Sequence, residues 1–190
     1  MKECDPGTFS QLGSDTCQNC RAGRKCPKID CQTNCEIDCQ AGEFSVAGSV
    51  TCSPVQPGHE GSSNGPRSTS QTQCTPGFYS LGGAQRCTEC TVNHYCPEIT
   101  QSEIPCQPGY YQDNTGQTSC KLCEAGFECP GVSATGVATG ASICPPGFYS
   151  YKGQAKCTLC SPGYLCTGDG NTNFSSQGQC LKSRLFAPKK

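Results

Sequence analysis

The chain has 190 residues, a net charge of −1 and 21 cysteines, and its hydrophobic content of 34% includes those cysteines. So few other apolar residues, with no tryptophan among them, exclude a single large hydrophobic core and favour several small units held by disulfides. Apart from a basic end, the chain is mildly acidic, which argues against a nucleic-acid surface, and no apolar run has the length of a membrane span.

Stable disulfides form in an oxidising compartment, so the cysteine content predicts an extracellular or cell-surface location. Residues 1–3 contain no apolar stretch that could serve as a signal peptide. We therefore expect the chain to be a piece of a longer secreted protein, or the ordered part of one.

One unit of four cysteines recurs along the chain. In its clearest copy, Cys144, Cys157, Cys160 and Cys166, which we number I to IV, are separated by twelve, two and five residues. A fixed period of this size indicates a tandem array. The first cysteines of the copies are Cys4, Cys39, Cys74, Cys106, Cys144 and, for an incomplete sixth, Cys180. The predicted units are repeat one (1–38, with an extra cysteine pair), repeat two (39–73), repeat three (74–105), repeat four (106–143), repeat five (144–179) and a truncated repeat six with a basic tail (180–190).

The first half of each repeat reads Cys-x-Pro-Gly-x-aromatic-Ser, and repeat two has Ala in place of Pro. Glycine at this turn position supplies the positive φ of a type II turn. A second glycine follows before cysteine II. The pattern predicts a small β-hairpin closed by cysteines I and II. The two sets of glycines are Gly7, Gly42, Gly77, Gly109 and Gly147, and Gly13, Gly48, Gly83, Gly116 and Gly153.

An aromatic residue stands five residues after each cysteine I. We expect its ring to cover the disulfide and to form most of the core of its repeat; a half-exposed strand aromatic is the alternative. The five residues are Phe9, Phe44, Tyr79, Tyr111 and Tyr149.

The second half of each repeat contains another turn, with Gly23, Gly58, Asn93, Gly126 or Gly163 at a position that predicts positive φ. Polar segments of small residues follow, of which residues 60–73 and 131–142 are the longest. Their composition predicts mobile loops.

Repeat two indicates the disulfide connectivity because Val55 and Gly61 replace its cysteines III and IV. Pairing I with II and III with IV explains this joint loss without leaving an orphan thiol, although sequence alone does not fix connectivity. Cys31 and Cys35 lie outside the repeat pattern and are paired by elimination. The predicted bridges are Cys4–Cys17, Cys20–Cys26, Cys31–Cys35, Cys39–Cys52, Cys74–Cys87, Cys90–Cys96, Cys106–Cys120, Cys123–Cys129, Cys144–Cys157 and Cys160–Cys166.

The remaining candidates for chemistry are weak. The Cys-x-x-Cys pairs are more than 25 residues apart, which does not suit a zinc ribbon, and no βαβ context supports a redox motif. His59 and His94 are expected on the surface. The segment 169–173 imitates the start of a calcium loop, but Phe174 and Cys180 stand where glycine and glutamate are required, so an Asx-rich turn is favoured. Asn173 begins a glycosylation sequon, which would make the protein a glycoprotein.

The repeat motif Cys-x-Pro-Gly-x-Tyr-Ser…Gly…Cys-x-x-Cys…Gly…Cys resembles the ephrin-receptor-like cysteine-rich repeat, over about residues 4–180. That repeat is related to the cysteine-rich modules of tumour-necrosis-factor receptors and growth-factor (EGF-like) receptors. The resemblance implies a module of receptors, adhesion proteins and long surface proteins. It leaves the particular function open.

We therefore expect a small disulfide-rich fold: an elongated array of about five short β-hairpin modules without a helical domain. Stacked units should extend on the order of 80–120 Å. The leading function is a non-enzymatic structural or adhesive segment of an extracellular protein, acting as a spacer or fibre building block without a cofactor or metal. The alternative is the ligand-binding ectodomain of a receptor. Protein partners or a protein ligand are expected, and the odd cysteine, Cys180, is expected to bond another chain or to remain unpaired.

Overall fold

The fold is an array of short antiparallel β-hairpins linked by disulfides, as the cysteine pattern predicts. The computed structural model describes residues 3–27, 36–63, 65–132 and 137–161, together with the backbone of two further strands, 164–165 and 181–182. The contacts divide the chain into two compact units, one of Met1–Glu89 with Cys96–Ser102 and one of Cys90–Tyr95 with Glu103–Lys190. The described residues form no helix, so none of them belongs to a helix that could cross a membrane.

The first half of every repeat forms the predicted hairpin between cysteines I and II. In repeat one, Thr8 pairs with Asn19 and Phe9 with Gln18. Strands of two residues are marginal by themselves, which is why the flanking disulfide matters. These five hairpins comprise β1 (Thr8–Phe9) with β2 (Gln18–Asn19), β5 (Glu43–Phe44) with β6 (Ser53–Pro54), β9 (Phe78–Tyr79) with β10 (Thr88–Glu89), β13 (Tyr110–Tyr111) with β14 (Lys121–Leu122), and β17 (Phe148–Tyr149) with β18 (Thr158–Leu159).

The second half of every repeat contributes to a further hairpin, whose second strand in repeat five lies beyond Cys180, in the segment assigned to repeat six. The two segments predicted as mobile loops differ in how far they enter this second hairpin. Segment 60–73 belongs to strands at both of its ends, whereas segment 131–142 contributes only Ser142. The described residues between these strands form turns and irregular structure, as their composition predicts. The hairpins comprise β3 (Arg24–Lys25) with β4 (Ile37–Asp38), β7 (His59–Gly61) with β8 (Gln71–Gln73), β11 (His94–Tyr95) with β12 (Ile104–Pro105), β15 (Phe127–Glu128) with β16 (Ser142–Ile143), and β19 (Tyr164–Leu165) with β20 (Leu181–Lys182).

The predicted turn geometry is confirmed at every described position. Both sets of first-half glycines have positive φ, and so do Gly23, Gly58 and Gly126 of the second hairpins. Asn93 replaces glycine in repeat three and has a φ of 61°. The turns therefore alternate regularly with two-residue strands along the chain.

The buried core consists mainly of cysteines. Among the described residues, Phe9 and Val55 are the only buried apolar residues that are not cysteines. Phe9 clusters with Cys20 and Cys26, but the corresponding rings of repeats two to five are only half-buried. The expectation that this ring supplies most of each core was therefore wrong in four repeats, where the alternative of a half-exposed strand aromatic applies.

Candidate functional site: the interface between successive repeats

The disulfides have the connectivity that repeat two indicated. Seven bridges lie within single repeats and join Cα atoms 5.6–6.0 Å apart: Cys4–Cys17, Cys20–Cys26, Cys39–Cys52, Cys74–Cys87, Cys106–Cys120, Cys123–Cys129 and Cys144–Cys157. Cys90, Cys96 and Cys160 are also disulfide-bonded. The described residues include no free cysteine, and Cys31, Cys35, Cys166 and Cys180 lie outside them.

Repeats one to four each dock on the next repeat through backbone hydrogen bonds at fixed positions. The first donor is the amide of the positive-φ residue of the second hairpin, and its acceptor is the carbonyl six residues after the next cysteine I. The four bonds are Gly23 to Ser45 (2.9 Å), Gly58 to Ser80 (2.8 Å), Asn93 to Gln112 (2.7 Å) and Gly126 to Ser150 (3.1 Å). Because only main-chain atoms take part in these four bonds, they can form with different side chains at the bonded positions.

Two further backbone bonds recur at these junctions. The second glycine of a repeat donates to the carbonyl of the preceding repeat's cysteine III: Gly48 to Cys20 (2.8 Å), Gly116 to Cys90 (2.9 Å) and Gly153 to Cys123 (2.8 Å). In repeat two the acceptor is Val55, which bonds Gly83 (2.7 Å). The cysteine IV position also donates across the junction, from Cys26 to Ser49 (3.0 Å), Gly61 to Ala84 (3.1 Å) and Cys129 to Gln154 (3.4 Å).

The first turn glycine of a repeat is required for two reasons. Its φ is positive, and the backbone of the next repeat lies too close to leave room for a Cβ atom. A Cβ atom on Gly42 would lie 2.0 Å from the carbonyl oxygen of Gly83 in the next repeat. A Cβ on Gly109 would likewise lie 2.4 Å from the Gly153 oxygen. Real Cβ atoms do not approach oxygen so closely, so these glycines set the spacing of successive repeats.

The residue after the aromatic is buried at the junction, which the sequence analysis missed. Ser45, Ser80, Gln112 and Ser150 are all buried. The Ser45 hydroxyl donates to the Arg24 carbonyl (2.7 Å), and the Ser150 hydroxyl donates to the Phe127 carbonyl (2.6 Å). The signal was present as the recurring serine of the motif, but a buried serine cannot be distinguished from an exposed one by composition.

A side chain three residues before the next cysteine I caps the second turn. Glu36 accepts from the Arg21 amide (2.7 Å), Gln71 from the Gln56 amide (2.9 Å) and Glu103 from the Thr91 amide (2.7 Å). Ala141 stands at this position in repeat four and has no oxygen to offer. The second hairpins of repeats one, two and three therefore share this side-chain cap.

Glu36 is also the centre of a charged cluster in repeat one. Its carboxylate accepts from the guanidinium groups of Arg21 (2.8 Å) and Arg24 (2.7 Å), while only 1% of its side chain is exposed. The hydrogen bond from Arg21 is the main reason that the pKa of Glu36 is lowered to about 2. Arg24 also pairs with Asp38 across the β3–β4 hairpin (2.9 Å), so the cluster fixes this hairpin.

Repeat two replaces its second disulfide with a small packed group. Val55 occupies the cysteine III position and is 1% exposed. Its amide donates to the Gly42 carbonyl (2.9 Å), as the Cys20 amide does to Gly7 (2.8 Å). Near the cysteine IV position, the buried Ser68 lies so close to Gly61 that a Cβ there would be 2.6 Å from the Ser68 hydroxyl. Val55 and Ser68 are thus both buried, at the cysteine III position and beside the cysteine IV position, where other repeats have a disulfide.

A shallow cleft opens beside repeat four. It has a volume of about 270 Å³ and is lined by Tyr95, Gln107, Tyr110, Ser119 and Cys120. At the position of Tyr95, repeats two and four carry Glu60 and Glu128, which cap the amides of Cys87 (2.9 Å) and Cys157 (3.2 Å). A tyrosine therefore lines the cleft where another repeat has a capping carboxylate.

The other sequence candidates do not come together as a site. His59 and His94 are half-buried, and their Nδ1 atoms lie 3.1 Å from the carbonyl oxygens of Pro57 and Val92 within their own turns. No group of three or more metal-ligating side chains occurs among the described residues. Asn173 and the 169–173 segment lie outside the described residues, as does the basic tail apart from the backbone of 181–182.

Comparison with protein-family models finds no match to this chain, and comparison with curated proteins finds no significant relative. The dense disulfides of the chain mark it as an extracellular, secreted-type domain.

Proposed function

We propose that the chain is a non-enzymatic structural or adhesive segment of an extracellular protein, a disulfide-linked spacer or building block of a larger assembly. The observation that carries this proposal is the backbone interface, which joins successive repeats through the same bonds although their side chains differ. Each repeat then needs only its neighbours for support, which is how solenoid proteins build extended surfaces.

The junctions support a mechanical role because equivalent hydrogen bonds have nearly the same length at different junctions. The bonds from Gly23 to Ser45 and from Gly58 to Ser80 differ in length by only 0.1 Å, although the two repeats have different disulfide content. An interface of this kind propagates register from one repeat to the next. It also leaves the outward side chains free to vary for adhesion.

The titrating groups with shifted pKa values support the non-enzymatic part of the proposal. Glu36 is saturated by arginine hydrogen bonds, and the hydrogen bond between Lys121 and Asp113 lowers the pKa of Asp113 and raises that of Lys121. None of these three groups lines the cleft. Catalytic acids and bases usually have shifted pKa values inside a cleft that a substrate can enter, so these shifts reflect structural ion pairs.

We also propose that the repeats are related to ephrin-receptor-like modules. The shared motif and the positive φ of its glycines support this relation. Such a relation is compatible with both a spacer and a receptor.

The spacer proposal is tested by removing one repeat without changing the register. Deletion of residues 106–143 joins β12 directly to Cys144, so Asn93 of repeat three would face Ser150 of repeat five as it now faces Gln112. Small-angle scattering of the oxidised protein should show a maximum dimension shorter by roughly 15–20 Å, the length of one unit. An unchanged dimension, or a full chain with the radius of gyration of about 16 Å expected for a compact domain, contradicts the proposal.

The second candidate, a ligand-binding ectodomain, is favoured by the cleft at Tyr95 and Tyr110. Two tyrosine rings with an amide and a hydroxyl at the margin suit a sugar residue, which offers an apolar face and several hydroxyls. Saturation-transfer NMR with common monosaccharides should then show transfer that is lost in Tyr110→Ala and kept in Tyr151→Ala, a similarly exposed tyrosine. No transfer to any sugar argues against this candidate.

A further inference from the structure

At two junctions, a carboxylate of one repeat accepts a hydrogen bond from the amide of the next repeat's cysteine II. Glu60 accepts from the Cys87 amide (2.9 Å), and Glu128 accepts from the Cys157 amide (3.2 Å). Each glutamate directly precedes the cysteine IV position of its own repeat. The fold therefore directs the amide of cysteine II towards the preceding repeat, at a place where a carboxylate oxygen fits.

The junction between repeats three and four lacks this carboxylate. Tyr95 stands at the glutamate position, and the Cys120 amide has no hydrogen-bond partner among the described residues. Cys120 is half-buried, so its N–H is partly withdrawn from water, and backbone donors inside proteins are almost always paired. This amide is therefore a donor for which the described part of the chain supplies no acceptor.

The residue that carries this amide belongs to the cleft beside repeat four. Cys120 lines the cleft together with Tyr95 and Tyr110 and with the polar residues Gln107 and Ser119. All five lining residues are described, and they belong to one compact unit. The cleft volume of about 270 Å³ lies near the lower end of the roughly 300–1,000 Å³ that is typical of small-molecule sites. The cleft therefore suits a single sugar residue.

The junction between repeats one and two shows what is particular about Tyr95. Lys25 stands at the glutamate position there, and the Cys52 amide also has no partner among the described residues. Lys25 offers no aromatic ring to a ligand. Of the four junctions formed by described residues, only the one at Tyr95 combines an unpaired amide with an aromatic side chain at the glutamate position.

We propose that the cleft between Tyr95 and Tyr110 binds a uronic acid residue, a sugar that carries a carboxylate. The carboxylate accepts from the Cys120 amide, as Glu60 and Glu128 accept from the equivalent amides. Hydrogen bonds to an ionised acceptor are about twice as strong as those between neutral groups, so the acidic sugar is preferred to a neutral one.

The other lining residues suit the rest of the sugar. Tyrosine rings offer an apolar surface to the carbon face of the sugar ring, while Gln107 and Ser119 provide polar groups for its hydroxyls. The inference rests on the second candidate function, the ligand-binding ectodomain, and names the class of its ligand.

NMR titration of the full oxidised chain, labelled with ¹⁵N, tests the contact directly. Sodium D-glucuronate should bind roughly tenfold more tightly than D-glucose and should shift the Cys120 amide proton downfield. The shift should be lost in Tyr110→Ala and kept in Tyr151→Ala. Equal affinity for the two sugars, or no shift at Cys120, overturns the proposal.

Tyr95→Glu gives this junction the carboxylate of the other two. The new side chain should protect the Cys120 amide from hydrogen exchange and abolish the preference for glucuronate over glucose. Tyr95→Leu is the matched control, because it removes the ring but adds no acceptor. It should weaken both sugars yet keep the preference. Lys25→Glu controls for added negative charge and should change neither affinity. A preference for glucuronate that survives in Tyr95→Glu contradicts the assigned role of the amide.

The outcomes separate this inference from the function on which it rests. Glucose and glucuronate that bind equally well retain the ligand-binding candidate and overturn the carboxylate contact. No binding of either sugar overturns both. N-acetylglutamate that shifts Cys120 with the affinity of glucuronate points to an acidic side chain of a protein partner and overturns the sugar.

Discussion

Repeats one and two dock on their successors in the same way although only repeat one has a second disulfide. The three junction bonds of repeat one measure 2.9, 2.8 and 3.0 Å, and those of repeat two measure 2.8, 2.7 and 3.1 Å. Cys20–Cys26 in repeat one corresponds to Val55 and Gly61 in repeat two. The comparison teaches that the backbone interface maintains the register of the stack and that the second disulfide adds stability to it.

The strongest way to break this common interface is Gly42→Ala. The new Cβ would stand 2.0 Å from the Gly83 oxygen, in a residue with a φ of +83°. Gly147→Ala is the matched control, because its φ of +87° imposes the same strain while no described atom lies within 4 Å. The control should cost about 1–2 kcal/mol, and Gly42→Ala roughly 3–4 kcal/mol more. Guanidinium unfolding measures both, and equal losses would contradict a steric role for the junction.

The difference between the two repeats can be reversed by moving the disulfide. Val55→Cys with Gly61→Cys and Ser68→Ala should form a bridge in repeat two, since the serine replacement removes the hydroxyl that a Cβ at position 61 would meet. Closing a loop of this length should stabilise the protein by about 2 kcal/mol in the chain-entropy model. Replacing Cys20 and Cys26 by alanine should remove a similar amount from repeat one.

Peptide mapping under non-reducing conditions verifies the transplanted bridge, and the single variant Ser68→Ala provides the baseline. Two free thiols at positions 55 and 61 would show that the Val55–Ser68 group does not occupy the space of a disulfide.

The sequence could predict the part of this comparison that depends on cysteines and turn residues. The repeat period and the disulfide connectivity follow from the cysteine positions. The positive φ of the turns follows from residues that tolerate it, as Gly58 and Asn93 illustrate. The second hairpins could not be predicted, because their strands share no recurring residue types: Gln71–Gln73 is entirely polar, whereas Ile104–Pro105 is apolar. Their stability comes from capping side chains and neighbouring repeats, which composition does not reveal.

Val55→Ala tests whether packing substitutes for the disulfide. Val55 is buried and is the only described apolar residue besides Phe9 that is buried without being a cysteine. Removing two methyl groups should cost roughly 2 kcal/mol. Val46→Ala in the same repeat should cost under 0.5 kcal/mol, since that side chain is exposed. Thermal unfolding of the two variants gives the comparison, and similar melting temperatures would contradict the assigned role of Val55.

The smallest expected effect on stability concerns the side chain that caps the second turn. This side chain is the acid Glu36 in repeat one and the neutral Gln71 in repeat two. Arg21 and Arg24 lower the folded-state pKa of Glu36 to about 2, below its unfolded value of about 4.3. Its stabilisation is therefore complete above the unfolded pKa and disappears as the pH falls towards 2. Because Arg21 is 67% exposed, solvent screening should limit the loss to about 1–2 kcal/mol.

Glu36→Gln gives repeat one the neutral cap of repeat two and should remove this acid dependence. Gln can still accept from the Arg21 amide, so the variant should lose stability at pH 6 but change less than the unmodified chain between pH 5 and pH 2.5. Hydrogen exchange at the Arg21 and Arg24 amides localises the effect to the β3–β4 hairpin.

Gln71→Glu is the reciprocal variant. It should acquire little acid sensitivity, because the ion pairs that lower the pKa of Glu36 involve Arg21 and Arg24, and Gln56 and His59 occupy the corresponding positions in repeat two. Equal acid sensitivity of the unmodified chain and Glu36→Gln would show that the carboxylate caps the turn only as a neutral amide does.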